Sequence, residues 1–135
     1  MKRALLVLVL VLSGCGVQPS DPIGGSQATG ALIYLIRTYD NTLVPILRPT
    51  KHQTPAGAAL TMLAQFQAEQ TSGYRNEVPT EAELMTVNGS TVSVPIDVTS
   101  LSTLATQQIV CTAAVPEPVT LVGGGQSRGP LTCPV

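Results

Sequence analysis

The chain has 135 residues, which is enough for one domain with a modest core, and only 11% of them are charged. Seven Lys and Arg stand against eight Asp and Glu, so the formal net charge of −1 provides no basic surface for nucleic acid. Aromatic residues make up 3% of the chain and Trp is absent, so we expect a core of Leu, Ile, Val and Ala.

The first fourteen residues predict a lipoprotein signal peptide. Lys2 and Arg3 precede a nine-residue apolar run, residues 4–12, which is too short to span a bilayer core of about 30 Å. The sequence Leu12-Ser13-Gly14-Cys15 resembles a bacterial lipobox, a signal in which a diacylglyceryl group is attached to the cysteine thiol before cleavage. We therefore predict cleavage after residue 14, lipid on Cys15 and attachment to the extracytoplasmic face of the cell membrane. The alternative is a free cysteine near an ordinary signal cleavage site.

Residues 15–30 are predicted as the lipidated N-terminus and a flexible tether, because they are rich in Gly, Pro and Ser and lack an apolar period. Residues 31–37 form a dense apolar run that predicts a strand buried on both faces. Residues 38–42 have turn composition, and residues 43–48 predict a second strand. Pro45 cannot donate a hydrogen bond to a neighbouring strand, so this second strand is predicted at a sheet edge or at a bulge.

Two helices are predicted further along the chain. Thr54 is the expected N-cap of the first, with Pro55 in its first turn, and residues 71–73 are expected to end it. Thr99-Ser100 is expected to cap the second helix, which extends to about residue 113.

The remaining segments predict strands. Asn88-Gly89 lies between two β-prone runs and predicts a hairpin of residues 84–88 and 91–98. Residues 119–122 predict a last strand, followed by a glycine turn. The whole order predicts an α+β fold, a mixed β-sheet with two helices packed on one face.

The order of these segments is similar to the GerMN family, a sporulation and germination module also found in actinobacterial lipoproteins. The resemblance covers about residues 31–125, within a predicted domain of residues 31–135. It is carried by Ile33-Tyr34-Leu35, Val44-Pro45 with Arg48, Ala59-Leu60-Thr61-Met62-Leu63, Val78-Pro79, Ile96-Asp97-Val98-Thr99 and Gln108-Ile109-Val110-Cys111-Thr112. The chain departs from the family at Ser72-Gly73, where Gly-Pro is frequent, and at Gly123-Gly124, where Asp-Gly is frequent. The resemblance implies an extracytoplasmic interaction domain without known catalysis, found beside envelope assemblies or sensor proteins.

No constellation in the sequence predicts an enzyme, a metal site or a cofactor. His52 is the single histidine and lies in a Pro- and Thr-rich loop, so we expect it to be solvated rather than catalytic. The carboxylates of Glu77, Glu81 and Glu83 could serve glycoside hydrolysis, but the aromatic platforms of such clefts are missing, and local solvation is favoured. The glycines at 123–125 predict a tight turn rather than a phosphate cradle. Gln108, on an apolar helix stripe, is predicted to be a buried amide with its hydrogen bonds satisfied.

Two cysteines remain once Cys15 carries lipid, and in an oxidising compartment they predict a disulfide between Cys111 and Cys133. The alternative is that both thiols stay free. For function we predict a membrane-anchored protein-interaction module with an unknown envelope protein as partner. Arg48 and Lys51, the main basic residues beside the edge strand, are its possible contacts. A lipoprotein that binds a small molecule such as a cell-wall fragment is the alternative.

Overall fold

A computed structural model describes residues 29–67, 72–113 and 117–135; the predicted signal peptide, Cys15 and nearly all of the predicted tether lie outside these ranges. Among the described residues, no helix has the length and apolarity needed to cross a membrane. Seven strands and two α-helices are described, together with 3₁₀ turns at Thr80–Ala82 and Val98–Ser100. In chain order they are β1 (Gly30–Arg37), β2 (Leu43–Pro49), α1 (Ala56–Gln65), β3 (Tyr74–Arg75), β4 (Thr86–Asn88), β5 (Thr91–Ser93), α2 (Thr103–Ala113), β6 (Val119–Gly123) and β7 (Gln126–Leu131).

The strands form two sheets. The first is antiparallel, with the order β2-β1-β3, and the second has the order β4-β5-β6-β7. In the second sheet β5 and β6 are parallel, because α2 provides the crossover between them, while its other pairs are antiparallel. The predicted α+β class with two helices is confirmed, and the mixed pairing is found in the second sheet. The strands are divided between two sheets where one was expected.

Strand β1 is central, as its composition predicted, and its side chains enter two clusters. Ala31, Ile33 and Leu35 join the main core, which contains the buried faces of both helices and of the second sheet. On the other face Tyr34 and Ile36 pack in a smaller cluster with Leu43 and Cys111. This alternation follows from the period of two along a strand.

Helix α2 lies along the part of β1 that β3 leaves unpaired. Strand β3 pairs only with Ile36 and Arg37. Beyond it, the N–H of Tyr34 donates to Oγ1 of Thr112 at 3.1 Å, and Nε2 of Gln108 donates to the Tyr34 carbonyl at 2.9 Å. Side chains one helical turn apart thus take the place of a neighbouring strand, and the backbone of β1 stays hydrogen-bonded where it is buried.

Some local predictions were wrong in detail. Oγ1 of Thr54 hydrogen-bonds with Oγ1 of Thr50 instead of capping α1, and Pro55 occupies the cap position. The cap of α2 is Ser102, whose Oγ accepts from the N–H of Ala105 at 3.0 Å, whereas Thr99 and Ser100 belong to a separate 3₁₀ turn. Asp97 caps that turn, and hydrogen bonds from the Thr99 side chain and then from its backbone N–H lower the pKa of the Asp97 carboxyl.

Candidate interaction surface

Strand β2 is a free edge of the first sheet, as Pro45 predicted. In the register of the pair, Pro45 lies opposite Tyr34 and Pro49 lies opposite Gly30. The N–H and C=O of Tyr34 both bond to α2, so Tyr34 and Pro45 are a non-hydrogen-bonded pair of the β1–β2 ladder. The backbone groups of Pro45 therefore point away from β1, toward solvent. Pro49, four residues along, faces the same way. The free edge therefore lacks N–H groups at two outward positions, which disfavours addition of a further strand and leaves side chains as the means of contact.

Arg48 is exposed at the end of β2 and contacts an aromatic ring. Its guanidinium carbon lies 5.3 Å from the centroid of the Phe66 ring, just beyond the C-terminus of α1. This cation–π contact holds a flexible side chain in place without neutralising its charge. A groove of about 330 Å³ lies beside it, lined by Arg48, Gln65, Phe66, Gln67 and Ser72.

Arg48 and Lys51 differ from the other basic side chains in their partners. Arg37 pairs with Asp40 at 3.3 Å and Arg75 pairs with Glu77 at 3.0 Å. Those are the ion pairs within the described ranges, which leave out Glu69. Arg48 and the exposed Lys51 therefore have no carboxylate of the described residues within ion-pair distance.

Arg128, the fifth basic side chain of the described residues, has a structural role in the fold. Its Nη1 donates to Oγ1 of Thr106 at 2.9 Å and to the carbonyl of Leu101 at 3.2 Å, so it connects β7 to the start of α2.

The predicted tether joins the domain next to Arg48 and Lys51. Oγ1 of Thr29 donates to the carbonyl of Thr50 at 2.9 Å, and the N–H of Thr50 donates to the Thr29 carbonyl at 3.3 Å. Thr50 is the residue between Pro49 and Lys51. The end of the first sheet that carries Arg48 and Lys51 is therefore also the end at which the described chain begins, at Thr29.

Two large apolar side chains are exposed at the same end. Leu32 and Leu47 lie opposite each other in the β1–β2 pair and are 46% and 44% exposed. They project from the face of the sheet opposite to that of Arg48, because side chains alternate along β2. We call Leu32, Leu47, Arg48 and Lys51 the tether-end surface.

The structure brings the sulfur atoms of Cys111 and Cys133 to disulfide-bonding distance, with Cα atoms 4.8 Å apart. Cys111 is on α2, and Cys133 follows β7, a strand that the sequence did not predict. Strand β7 runs antiparallel to β6 and so carries the tail back toward the C-terminal end of the helix.

The other candidate residues are not assembled into a site. Ser102 donates to Oε1 of Glu77 at 2.7 Å, and this bond, followed by that of Arg75, lowers the pKa of the Glu77 carboxyl. Glu83 instead accepts from Gln65, and Glu81 and His52 are exposed. Among the described residues, no group of three or more His, Cys, Asp or Glu side chains could hold a metal ion.

Comparison with known proteins gives no relative on which to rest a function: no protein-family model, no curated protein and no solved structure matches the chain.

Proposed function

We propose that the chain is a membrane-anchored extracytoplasmic lipoprotein of the GerMN type, acting as an interaction module in an envelope or signalling assembly. The anchor is lipid on Cys15, and Arg48 and Lys51 belong to the surface that contacts another component of the envelope. The observation that carries the proposal is the tether-end surface itself, where exposed cations and exposed leucines lie beside a free strand edge. Exposed apolar groups rimmed by charge are typical of contact surfaces.

A small-molecule lipoprotein has less support from the described residues. An open depression of about 750 Å³ lies on the second sheet and is lined by Ser93, Val94, Val122, Gly123, Gly125, Gln126 and Ser127. This lining has neither an aromatic ring nor a charged side chain. A ligand site usually combines apolar enclosure with a few convergent polar groups, so the interaction module is favoured.

The anchor is tested by replacing Cys15. In the full chain expressed in a lipoprotein-processing bacterium, Cys15→Ala is expected to move the protein from the detergent phase to the aqueous phase or to leave an unprocessed precursor. Ser13→Ala, which keeps a small residue in the lipobox, is the matched control and should retain detergent-phase partitioning. Unchanged partitioning of Cys15→Ala would contradict the lipid anchor.

The contact surface is tested by photo-cross-linking in living cells. A photoreactive residue at position 51 is expected to give cross-links to another envelope component, and the same residue at position 39, in the turn at the opposite end of β1, is the control. Cross-links from position 39 with none from position 51 would assign contact to a different surface.

A further inference from the structure

We infer that the component contacted by the tether-end surface is the anionic surface of the membrane itself. This inference rests on the proposed lipid anchor and gives the anchored domain a defined orientation. Three features support it: the position of Thr29, where the described chain begins, the two cations without an ion-pair partner among the described residues, and the exposed leucine pair.

The first feature is the short connection. Thirteen residues, 16–28, lie between Cys15 and Thr29 along the chain. A flexible chain of about that length has a root-mean-square reach of roughly 20 Å, which is less than the roughly 34 Å diameter of a sphere with the radius of gyration of a 100-residue domain. The end of the domain at Thr29 and Thr50 is therefore the end that meets the membrane most often.

The second feature is charge. The described chain has more acidic than basic side chains, and a domain of that charge would be repelled by an anionic surface if it approached at random. At the tether end, however, Arg48 and Lys51 are exposed cations without a carboxylate of the described residues in ion-pair range. Glu83 accepts a hydrogen bond from Gln65, which lines the groove beside Arg48, but it forms no ion pair with Arg48. Basic residues next to a lipid anchor are attracted to anionic headgroups within about a Debye length, so they favour this end of the domain over the others.

The third feature is the pair of exposed leucines. Side chains opposite each other in an antiparallel pair are about 5 Å apart, so Leu32 and Leu47 form one continuous apolar contact. Two leucines are too few to bind a bilayer alone, but their insertion beside an existing lipid anchor would increase the affinity of the domain for the membrane. Arg48 lies on the other face of the sheet, but it and Lys51 are at the same end as the leucine pair. Interfacial membrane-binding elements likewise combine basic and apolar side chains. An acidic protein segment would use the cations but would not require them to lie beside Thr29, where the described chain begins.

The experiment uses a single tryptophan as reporter, because the chain contains none. Protein carrying Leu47→Trp, expressed from the whole sequence in a lipoprotein-processing bacterium and purified as that cell processes it, is reconstituted into vesicles of phosphatidylcholine alone or with one-third phosphatidylglycerol. We expect a blue-shifted emission, quenched by brominated lipid, on the anionic vesicles and much less on the neutral ones. Tyr39→Trp, an exposed position in the turn at the other end of β1, is the control and should keep a water-like emission on both.

The dependence on charge is tested in the Leu47→Trp background. Lys51→Gln should lower the ratio of docked to undocked domain roughly fivefold at low salt, the effect expected for one cation at an anionic surface. Arg37→Gln also removes one cation, but from the distal end of β1, and should leave the ratio within about twofold. The Arg48→Gln and Lys51→Gln changes together should lower the ratio roughly 25-fold.

The outcomes separate the two proposals. Failure of the protein to associate with either kind of vesicle would overturn the lipid anchor. Association with both, without a change in Leu47→Trp emission, would overturn membrane docking while leaving the anchor in place. A shift that is equal on neutral and anionic vesicles would overturn the electrostatic basis. Cross-linking of position 51 to an envelope protein, together with an unshifted emission, would assign this surface to a protein partner.

Discussion

At the scale of the residue, Gln108 shows how much of the fold depends on one buried amide. The side chain is fully buried, and its Oε1 accepts from the N–H of Glu77 at 3.0 Å. Its Nε2 donates to the Tyr34 carbonyl and to Oδ1 of Asn76, and Asn76 in turn binds the last carbonyls of α1. The predicted satisfied amide is confirmed. Because each lost partner leaves a buried polar group unsatisfied, such a network is costly to interrupt.

We predict that Gln108→Ala lowers the free energy of unfolding by about 3 kcal/mol, combining unsatisfied partners with a cavity. The measurement is urea unfolding of the full chain followed by circular dichroism. Gln107→Ala, the neighbouring half-buried position on α2, is the matched control and should change stability by less than about 0.5 kcal/mol. A loss of under about 1 kcal/mol for Gln108→Ala would show that the network contributes little.

The sequence indicated that Gln108 is buried but could not identify what it binds. Its place on an apolar stripe followed from helical periodicity, which is a local property. Tyr34 is 74 residues away and Asn76 is 32 residues away, so these contacts exist only once the two helices and β1 are packed together. The same holds for Arg48, whose contact with Phe66 joins a strand end to a helix end.

At the scale of the element, the glycine turn between β6 and β7 is fixed by close packing. A Cβ on Gly123 would lie 2.5 Å from the carbonyl oxygen of Val94 and closer still to that of Ile96. At Gly124, where φ is +63°, a Cβ would lie 2.6 Å from the Cα of Asp97. Gly125 also has positive φ, but its surroundings are open. The turn is thus packed against the segment before α2, and the predicted tight turn is confirmed.

We predict that Gly123→Ala lowers the free energy of unfolding by at least about 3 kcal/mol, because backbone atoms, which cannot move aside cheaply, occupy the space of the new methyl group. Gly125→Ala should lower the free energy of unfolding by only about 1–2 kcal/mol, the cost of placing an alanine in the left-handed conformation. Thermal unfolding of the two variants side by side measures the difference. Equal losses would mean that close packing at Gly123 does not constrain the turn.

The elements that the sequence predicted are those with strong local signals. The apolar run of β1 and Pro45 in the edge strand lie where expected. The β4–β5 hairpin is also found, but its strands are shorter than the predicted residues 84–88 and 91–98. Strands β3 and β7 were missed: β3 has two residues, and β7 contains Gly129 and Pro130 and has no apolar alternation. Both segments are strands because a neighbouring strand, β1 for β3 and β6 for β7, pairs with them through hydrogen bonds. This pairing depends on tertiary structure, and strand propensity does not predict it.

At the scale of the whole molecule, the pairing of Cys111 with Cys133 would fasten the C-terminal tail to α2. We predict that the cysteines are bonded in the protein released from the cell, so that alkylation without reductant adds no mass at either one. Closing a loop across a separation of 22 residues is worth about 3 kcal/mol by the chain-entropy estimate. Cys133→Ser should therefore lower the free energy of unfolding by about 2–4 kcal/mol, whereas Thr132→Ser, beside it, should not. Two alkylatable thiols in the unreduced protein would contradict the pairing.

The fold class could be predicted because it follows from the order of helices and strands, but the division into two sheets could not. The side chains of Gln108 and Thr112 bond to the N–H and C=O of Tyr34 on one edge of β1. A strand of the second sheet would need those same backbone groups to pair with β1 there, so the packing of α2 separates the two sheets. The tether-end surface, which we propose as a contact surface, could be predicted from the sequence only in part. Its cations were evident in the sequence, while Leu32 became part of it only through the register that places it opposite Leu47.

The bonds between Thr29 and Thr50 also have a mechanical consequence. A pull on the chain through residue 29 enters the fold along the axis of β1, the central strand of its sheet. The hydrogen bonds of an antiparallel pair run perpendicular to the strands, so such a pull stretches the β1–β2 ladder and the bonds from α2 to Tyr34 together and does not open them one after another. Tension applied through residue 29 is thereby spread across several bonds at the start of β1.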